Sequence, residues 1–270
     1  VVITNVGVSS TGSQGDYSVD MWVADQSDLT QTIYVNKFFT DIALFSDGGV
    51  YPKYLPQPGQ VVKIEGVFSR YSNFADRTAY RQGISSGFNL FPAPGGSNKL
   101  KITVSDTTVT PPTATDVPSG FGNAQGGAVQ ADKSFQGQYV HIPGSLTITN
   151  ANPTALERFR STTDGGPDFV SGENGFEVTG GVLVDNLFTF RDAGTETGCD
   201  WLKAAQSGQT VTFPNGISGV WDTYSHSYCL DGGSGSSCRS SKGFVPGTDA
   251  GYTFVLYPTR CSVDLVGTAQ

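Results

Sequence analysis

Along most of the chain, apolar and polar residues alternate over short stretches, which is the two-residue period of strands with one buried face. Val1-Val2-Ile3-Thr4-Asn5-Val6 is a β-prone opening, and residues 17–24 set Tyr17, Val19, Met21 and Val23 against Ser18, Asp20, Trp22 and Ala24. Residues 31–39 and 42–45 read as further strands before the turn at Asp47-Gly48-Gly49. The turn signal of residues 56–59 delivers an alternating stretch, Val61, Lys63, Ile64 and Glu65, that Gly66 interrupts where a bulge or bend is expected. Residues 100–104, 138–149, 175–179, 182–190 and 252–257 complete the predicted strands, the second of these broken at Pro143-Gly144. Helical signals are short. Asn152 before Pro153 predicts a helix through Phe159, and residues 201–205 predict one turn. Alternating βαβ units are absent from the pattern.

One stretch occurs twice. Gly59-Gln60 opens a strand that reaches Gly66 and then Tyr71, and Gly208-Gln209 opens another that reaches Gly216 and then Trp221. The recurrence predicts two related β domains, at residues 1–105 and 128–270. Between them, residues 106–127 read as a Thr/Pro/Gly linker, stiffened by Pro111, Pro112 and Pro118.

The succession of strand, aromatic strand, Pro/Gly turn and then Gly59-Gln60-x-Val62-x-x-x-Gly66-x-x-Ser69 resembles the OB-like β domains of bacterial secreted proteins. Domains of that type accompany extracellular nucleases and phosphoesterases. The resemblance spans about residues 17–104 and 137–265, and it implies an all-β chain of two tandem OB-like β-barrel domains with short helical turns. Gln60 and Gln209 stand where the family often has an acidic residue, and the chain holds no nuclease catalytic domain. The resemblance therefore carries a fold across and no activity.

Composition narrows the class. With 37% hydrophobic and 15% charged residues the chain can bury cores, and 35 Gly and 14 Pro suit many turns. No run approaches the roughly 18 apolar residues of a membrane span. The net charge of −8 arises in the second half: residues 1–105 hold eight basic and eight acidic residues, residues 106–270 eight and sixteen. That excludes bulk binding of duplex nucleic acid, whose affinity rests on a basic face. Cys199, Cys229, Cys238 and Cys261 show no zinc spacing, and two disulfides formed in an oxidising compartment are the expectation. Three pairings are open; one joins Cys229 to Cys238 and Cys199 to Cys261, worth about 3 and about 4 kcal/mol by loop-closure entropy. The chain begins at Val1, as after removal of a signal peptide or trimming of the sequence, and a secreted, extracellular or cell-surface location is expected.

Candidate chemistry is sparse. Nucleophile-elbow, zinc-protease, phosphate-loop and dinucleotide motifs are all missing, and His141 and His226 are the two histidines. His141 lies in a predicted strand beside Pro143, where a structural role is expected; His226 lies in a loop between Ser225 and Ser227. Arg70, Tyr71, Phe74, Arg77, Tyr80 and Arg81 interleave cations and rings as stacking on sugars or bases requires, making this ribbon the candidate site for a polysaccharide or oligonucleotide. The alternative is a solvated face whose arginines pair with Glu65 and Asp76. No cofactor is expected. The nearest candidate is calcium, which the acidic loops with Asp164, Asp168, Glu173, Asn174, Asp185, Asn186 and Asp192 would suit. An apolar first strand at Val1–Val6 allows self-association by strand addition, the alternative being an ordinary first strand paired within its own domain. The expected role is thus a non-catalytic structural or binding component. The alternatives are a module of secreted nucleic-acid or polysaccharide hydrolysis, and a soluble glycan or oligonucleotide binder.

Overall fold

The structure, a computed structural model, describes residues 1–10, 17–38, 57–65, 67–72, 80–85, 101–118, 121, 133–151, 175–185, 201–223 and 254–270. These residues are mostly strand, in two sheets. The first holds β1 (Val2–Ser10), β2 (Tyr17–Asp25), β3 (Asp28–Phe38), β4 (Gln60–Glu65), β5 (Val67–Ser72), β6 (Tyr80–Ser85) and β7 (Lys101–Thr108). The second holds β8 (Thr115–Asp116), β9 (Tyr139–Ile142), β10 (Leu146–Asn150), β11 (Gly175–Val178), β12 (Val182–Asp185), β13 (Val211–Phe213), β14 (Ile217–Thr223), β15 (Phe254–Tyr257) and β16 (Thr268–Ala269). Helix α1 (Trp201–Gln206) coincides with the turn predicted at 201–205, and α2 (Cys261–Asp264) follows β15. The helix predicted from Asn152 and the strand at 42–45 lie outside the described residues.

The chain separates into two compact units. One gathers Val1–Tyr71, Arg81–Ala114 and Gly137–Tyr139; the other gathers Ser72–Tyr80, Thr115–Gln136 and Val140–Gln270. Of the predicted linker, Asp106–Thr108 continue β7 and Thr115–Asp116 form β8 beside β9.

Strand order is the informative feature. The first sheet runs β5-β6-β3-β2-β1-β4-β7, and the second contains β14-β15-β12-β11-β10-β13-β16, extended past β14 by β9 and β8. Matched in sequence, the two orders are the same. Each begins with an antiparallel three-strand meander. In each the third strand pairs in parallel with a late strand, β3 with β6 and β12 with β15. In each the first strand pairs antiparallel with the strand that follows the meander, β4 or β13, which in turn pairs with the last. The segments at 60–72 and 211–223 are divided strands, whose first half lies beside the meander's first strand and whose second half lies beside the late strand.

The match reaches single residues. β1 carries Ile3-Thr4-Asn5 and β10 carries Ile148-Thr149-Asn150, and each ladder is bulged at its threonine. Asn5 lies opposite Trp22 and Asn150 opposite Glu177. The Thr4 hydroxyl donates to the Trp22 carbonyl at 2.9 Å, and the Thr149 hydroxyl donates to the Glu177 carbonyl at 3.2 Å. A bulge leaves one residue of the ladder unpaired, and a threonine can return a bond to the partner strand from there. The Gly-Gln repeat is slid against this frame. Val2 sits opposite Val61, two residues past Gly59, whereas Thr147 sits opposite Thr212, four past Gly208. Both glycines have positive φ, +90° and +89°, so each makes a turn that a side chain would strain.

Each sheet buries the face that alternation predicts. Ile3, Met21, Val23, Val35, Val62 and Ile102 form one core. The other is richer in aromatics: Phe213 stacks at 5.8 Å on Phe176 and meets Trp201 edge-on at 5.0 Å, and Trp221 stacks on Phe254 at 5.8 Å. The sequence pattern set Trp22 and Ala24 on a polar face, yet both are buried. Trp22 packs on Tyr34 at 5.6 Å, and a Cβ on Gly137 would stand 2.0 Å from the Thr32 hydroxyl, so the chain crosses close over that face. β12 and β15 are buried on both faces, which is why Val182-Leu183-Val184 and Phe254-Val255-Leu256-Tyr257 read as unbroken apolar runs.

Candidate functional site

Four of the six ribbon residues fall on neighbouring strands. Arg70 and Tyr71 lie in β5, Tyr80 and Arg81 in β6, and β5 is hydrogen-bonded to β6 at one end of the seven-stranded sheet. Phe74 and Arg77 lie outside the described residues. The backbone places these four positions on adjacent strands.

His141 lies in β9, and its Nδ1 is 2.9 Å from the Ser218 hydroxyl on β14. A Cβ on Gly216, whose φ is +84°, would stand 2.1 Å from the Ile142 carbonyl oxygen and 3.0 Å from His141 Cε1. The backbone thus passes directly against the half-buried ring, which ties β9 to β14. His226 lies outside the described residues.

Buried carboxylates have donors. The Tyr34 hydroxyl donates to Asp20, and the Gln136 side-chain amide donates to Asp222 at 3.2 Å. Asp264 Oδ2 accepts from the Thr259 backbone at 2.8 Å, the Arg260 backbone at 3.0 Å and the Thr259 hydroxyl at 3.2 Å, closing the turn that opens α2. Two exposed acids set the β2–β3 hairpin. Hydrogen bonds from the Ser27 hydroxyl and backbone hold Asp25 below the ordinary carboxylate value of 3.8, and bonds from the Thr30 hydroxyl and backbone do the same for Asp28.

Of the calcium candidates, Asp185 ends β12 and is fully buried, while Asp164, Asp168, Glu173, Asn174, Asn186 and Asp192 lie outside the described residues. Among the described residues no group of three or more His, Cys, Asp or Glu side chains is placed to hold a metal ion. Among them, too, no helix is long and apolar enough to cross a membrane. Cys261 is fully buried in α2 and disulfide-bonded; Cys199, Cys229 and Cys238 lie outside the described residues. The first strand pairs as an ordinary strand of its own sheet, between β2 and β4.

A feature the candidate list lacks runs across the second sheet. Thr268 on β16 lies opposite Thr212 on β13, which neighbours Thr147 on β10. The Thr268 hydroxyl donates to the Thr212 carbonyl at 3.4 Å, and the Thr147 and Thr212 hydroxyls are 3.3 Å apart. Thr179, just past β11, bonds the Thr147 backbone through both its amide, at 2.9 Å, and its hydroxyl, at 3.2 Å. Leu146 and Phe213 turn into the core, so the threonines beside them face away from it. Its trace in the sequence is Thr-x-Thr at 147–149 and again at 210–212, a pattern legible as solvent-facing strand and easily passed over.

No family model, curated protein or solved structure matches the chain.

Proposed function

We propose that this protein is a secreted, non-catalytic structural or binding component of the extracellular matrix or cell surface, built from two tandem OB-like domains. The observation that carries the reading is the strand order repeated in the two sheets. A meander, a parallel closure by the late strand and a divided fourth strand are the connections of a five-stranded Greek-key barrel, a fold used widely to bind oligosaccharides and oligonucleotides. The placement of His141 against Ser218 between two sheet strands supports a structural use of that residue.

The bonded state of Cys261 supports the expectation of an oxidising location, and Cys199 is its proposed partner, leaving Cys229 for Cys238. Assembly through the first strand takes a different form from simple addition. β1 has neighbours on both sides, so two copies would have to exchange it rather than append it. A second reading, a soluble glycan or oligonucleotide binder, draws on the ribbon across β5 and β6.

The test has two arms on the intact protein. Light scattering after size exclusion reads assembly, and arrays of glycans and single-stranded oligonucleotides read binding. Multimers, or array hits weakened by replacing Arg70 and Arg81 with Ala, support the proposal. A monomer that binds nothing on either array and hydrolyses a polysaccharide or nucleic acid removes it.

A further inference from the structure

We infer that the threonine rank of the nine-stranded sheet is a binding face for a neutral, hydroxyl-rich polysaccharide. This rests on the reading of the protein as an extracellular binding component, and it assigns that role a surface and a ligand class. β10, β13 and β16 carry Leu-Thr-Ile-Thr-Asn, Val-Thr-Phe and Thr-Ala, with no charged residue on any of the three. A phosphate-bearing or sulfated polymer would find no cation on these strands, and Glu177 of the adjoining β11 adds a carboxylate that would repel it.

The hydroxyls are also preset. Thr268 and Thr149 direct their protons to the carbonyls of Thr212 and Glu177, and Thr179 directs its own to the carbonyl of Thr147. The Thr268 and Thr149 oxygens keep lone pairs for an incoming donor, that of Thr179 already accepts the Thr147 amide at 3.1 Å, and the preset orientations cost no further entropy on binding. Adjacent strands repeat at about 4.8 Å, so Thr147, Thr212 and Thr268 stand side by side across three strands and offer acceptors and methyl groups in a row. A sugar chain presents hydroxyl donors and small apolar patches on a comparable scale.

The fold does not demand threonine at these positions. The counterpart of Thr147 in the first sheet is Val2, which precedes the matching Ile-Thr-Asn and is fully buried. In the first sheet Val2 is buried and Val61 opposite it is half-buried; in the second the matching positions Thr147 and Thr212 are half-buried, with Thr149 and Thr268 beside them exposed.

The experiment is affinity electrophoresis and pull-down of the intact chain on neutral polysaccharides (β-1,3-glucan, β-1,4-glucan and an α-glucan), with heparin and a single-stranded oligonucleotide alongside. The triple variant Thr147→Val, Thr212→Val, Thr268→Val keeps branching and volume while removing hydroxyls, and it should bind about tenfold more weakly or worse. Thr268→Val alone sits on an exposed strand and leaves folding intact, and a loss of about threefold is expected. Thr107→Val with Thr108→Val, on exposed β7, should change nothing. Retention on heparin or the oligonucleotide only, or neutral-glycan binding untouched by the threonine variants, overturns the inference and leaves the wider reading standing. Absence of retention on every matrix also overturns the inference, and the wider reading then rests on whether light scattering shows multimers.

Discussion

The shared bulge offers a matched pair of perturbations, Thr4→Val and Thr149→Val. Each removes one hydroxyl that bonds a carbonyl across the first ladder of its sheet, and valine keeps the β-branching and strand preference of threonine. Burial sets the two sites apart. Thr4 is 4% exposed, so losing its hydroxyl withdraws a donor from a carbonyl that bulk water does not reach. Such a loss costs about 1–2 kcal/mol, after a smaller gain from the added methyl group. Thr149 is exposed, and water replaces its bond, so its substitution should cost less than about 0.5 kcal/mol. Urea unfolding resolves the two. Trp22 reports the first sheet and Trp201 with Trp221 the second, so variants retaining one or the other set by Trp→Phe replacement give each sheet its own signal. If Thr149→Val lowers the midpoint as much as Thr4→Val, burial does not govern this bond and the reasoning fails.

Three further outcomes are expected. Gly216→Ala forces a Cβ to 2.1 Å from the Ile142 carbonyl oxygen at a φ of +84°, so it should destabilise by about 3 kcal/mol or abolish soluble expression; a normal melting temperature would contradict the geometry. Phe213→Ala removes one ring of the mutually packed Phe176, Trp201 and Phe213 and should cost about 3–5 kcal/mol, with a red shift of Trp201 emission; an unshifted, stable variant would argue against that packing. Asp25 and Asp28 have folded values depressed below 3.8, so the stability they lend is present above the unfolded value and is lost as pH falls through the lower folded one. Carboxyl-carbon NMR titration should place both below 3.8, and a midpoint at or above it would refute the turn hydrogen bonds.

Much of the strand pattern was legible because the period of burial matches the period of the sequence. Met21, Val23 and Val35 face the core that their alternation implies. The reading failed where a second layer intervened. Trp22 stood among polar neighbours and is nonetheless buried, because the cover comes from a chain segment far away in sequence, near Gly137. The Gly-Gln repeat pointed to the right strands yet lies two residues off the pairing register, since a turn glycine can slide along a strand without altering which face is buried. Ile-Thr-Asn at 3–5 and 148–150 marks the correspondence correctly, but three residues carry little weight until the ladders show a bulge at each. Arg70 and Tyr71 are close to Tyr80 and Arg81 in sequence as well as in sheet order. The threonine rank was hidden for the opposite reason, because Thr179 and Thr212 meet Thr147, and Thr268 meets Thr212, from separate stretches of the chain.

The parallel closure has a consequence for the order of events during synthesis. β12 ends at Asp185, and its partner β15 begins only at Phe254. Until residues 254–257 leave the ribosome, one side of β12 has no β15 to receive its backbone groups, and a loop of this length must close before that pairing forms. The second sheet therefore cannot reach its native order in an incomplete chain, whereas the first can finish once residues 101–108 have emerged. Arrest of translation between these points should yield a protease-resistant first sheet followed by a digestible remainder.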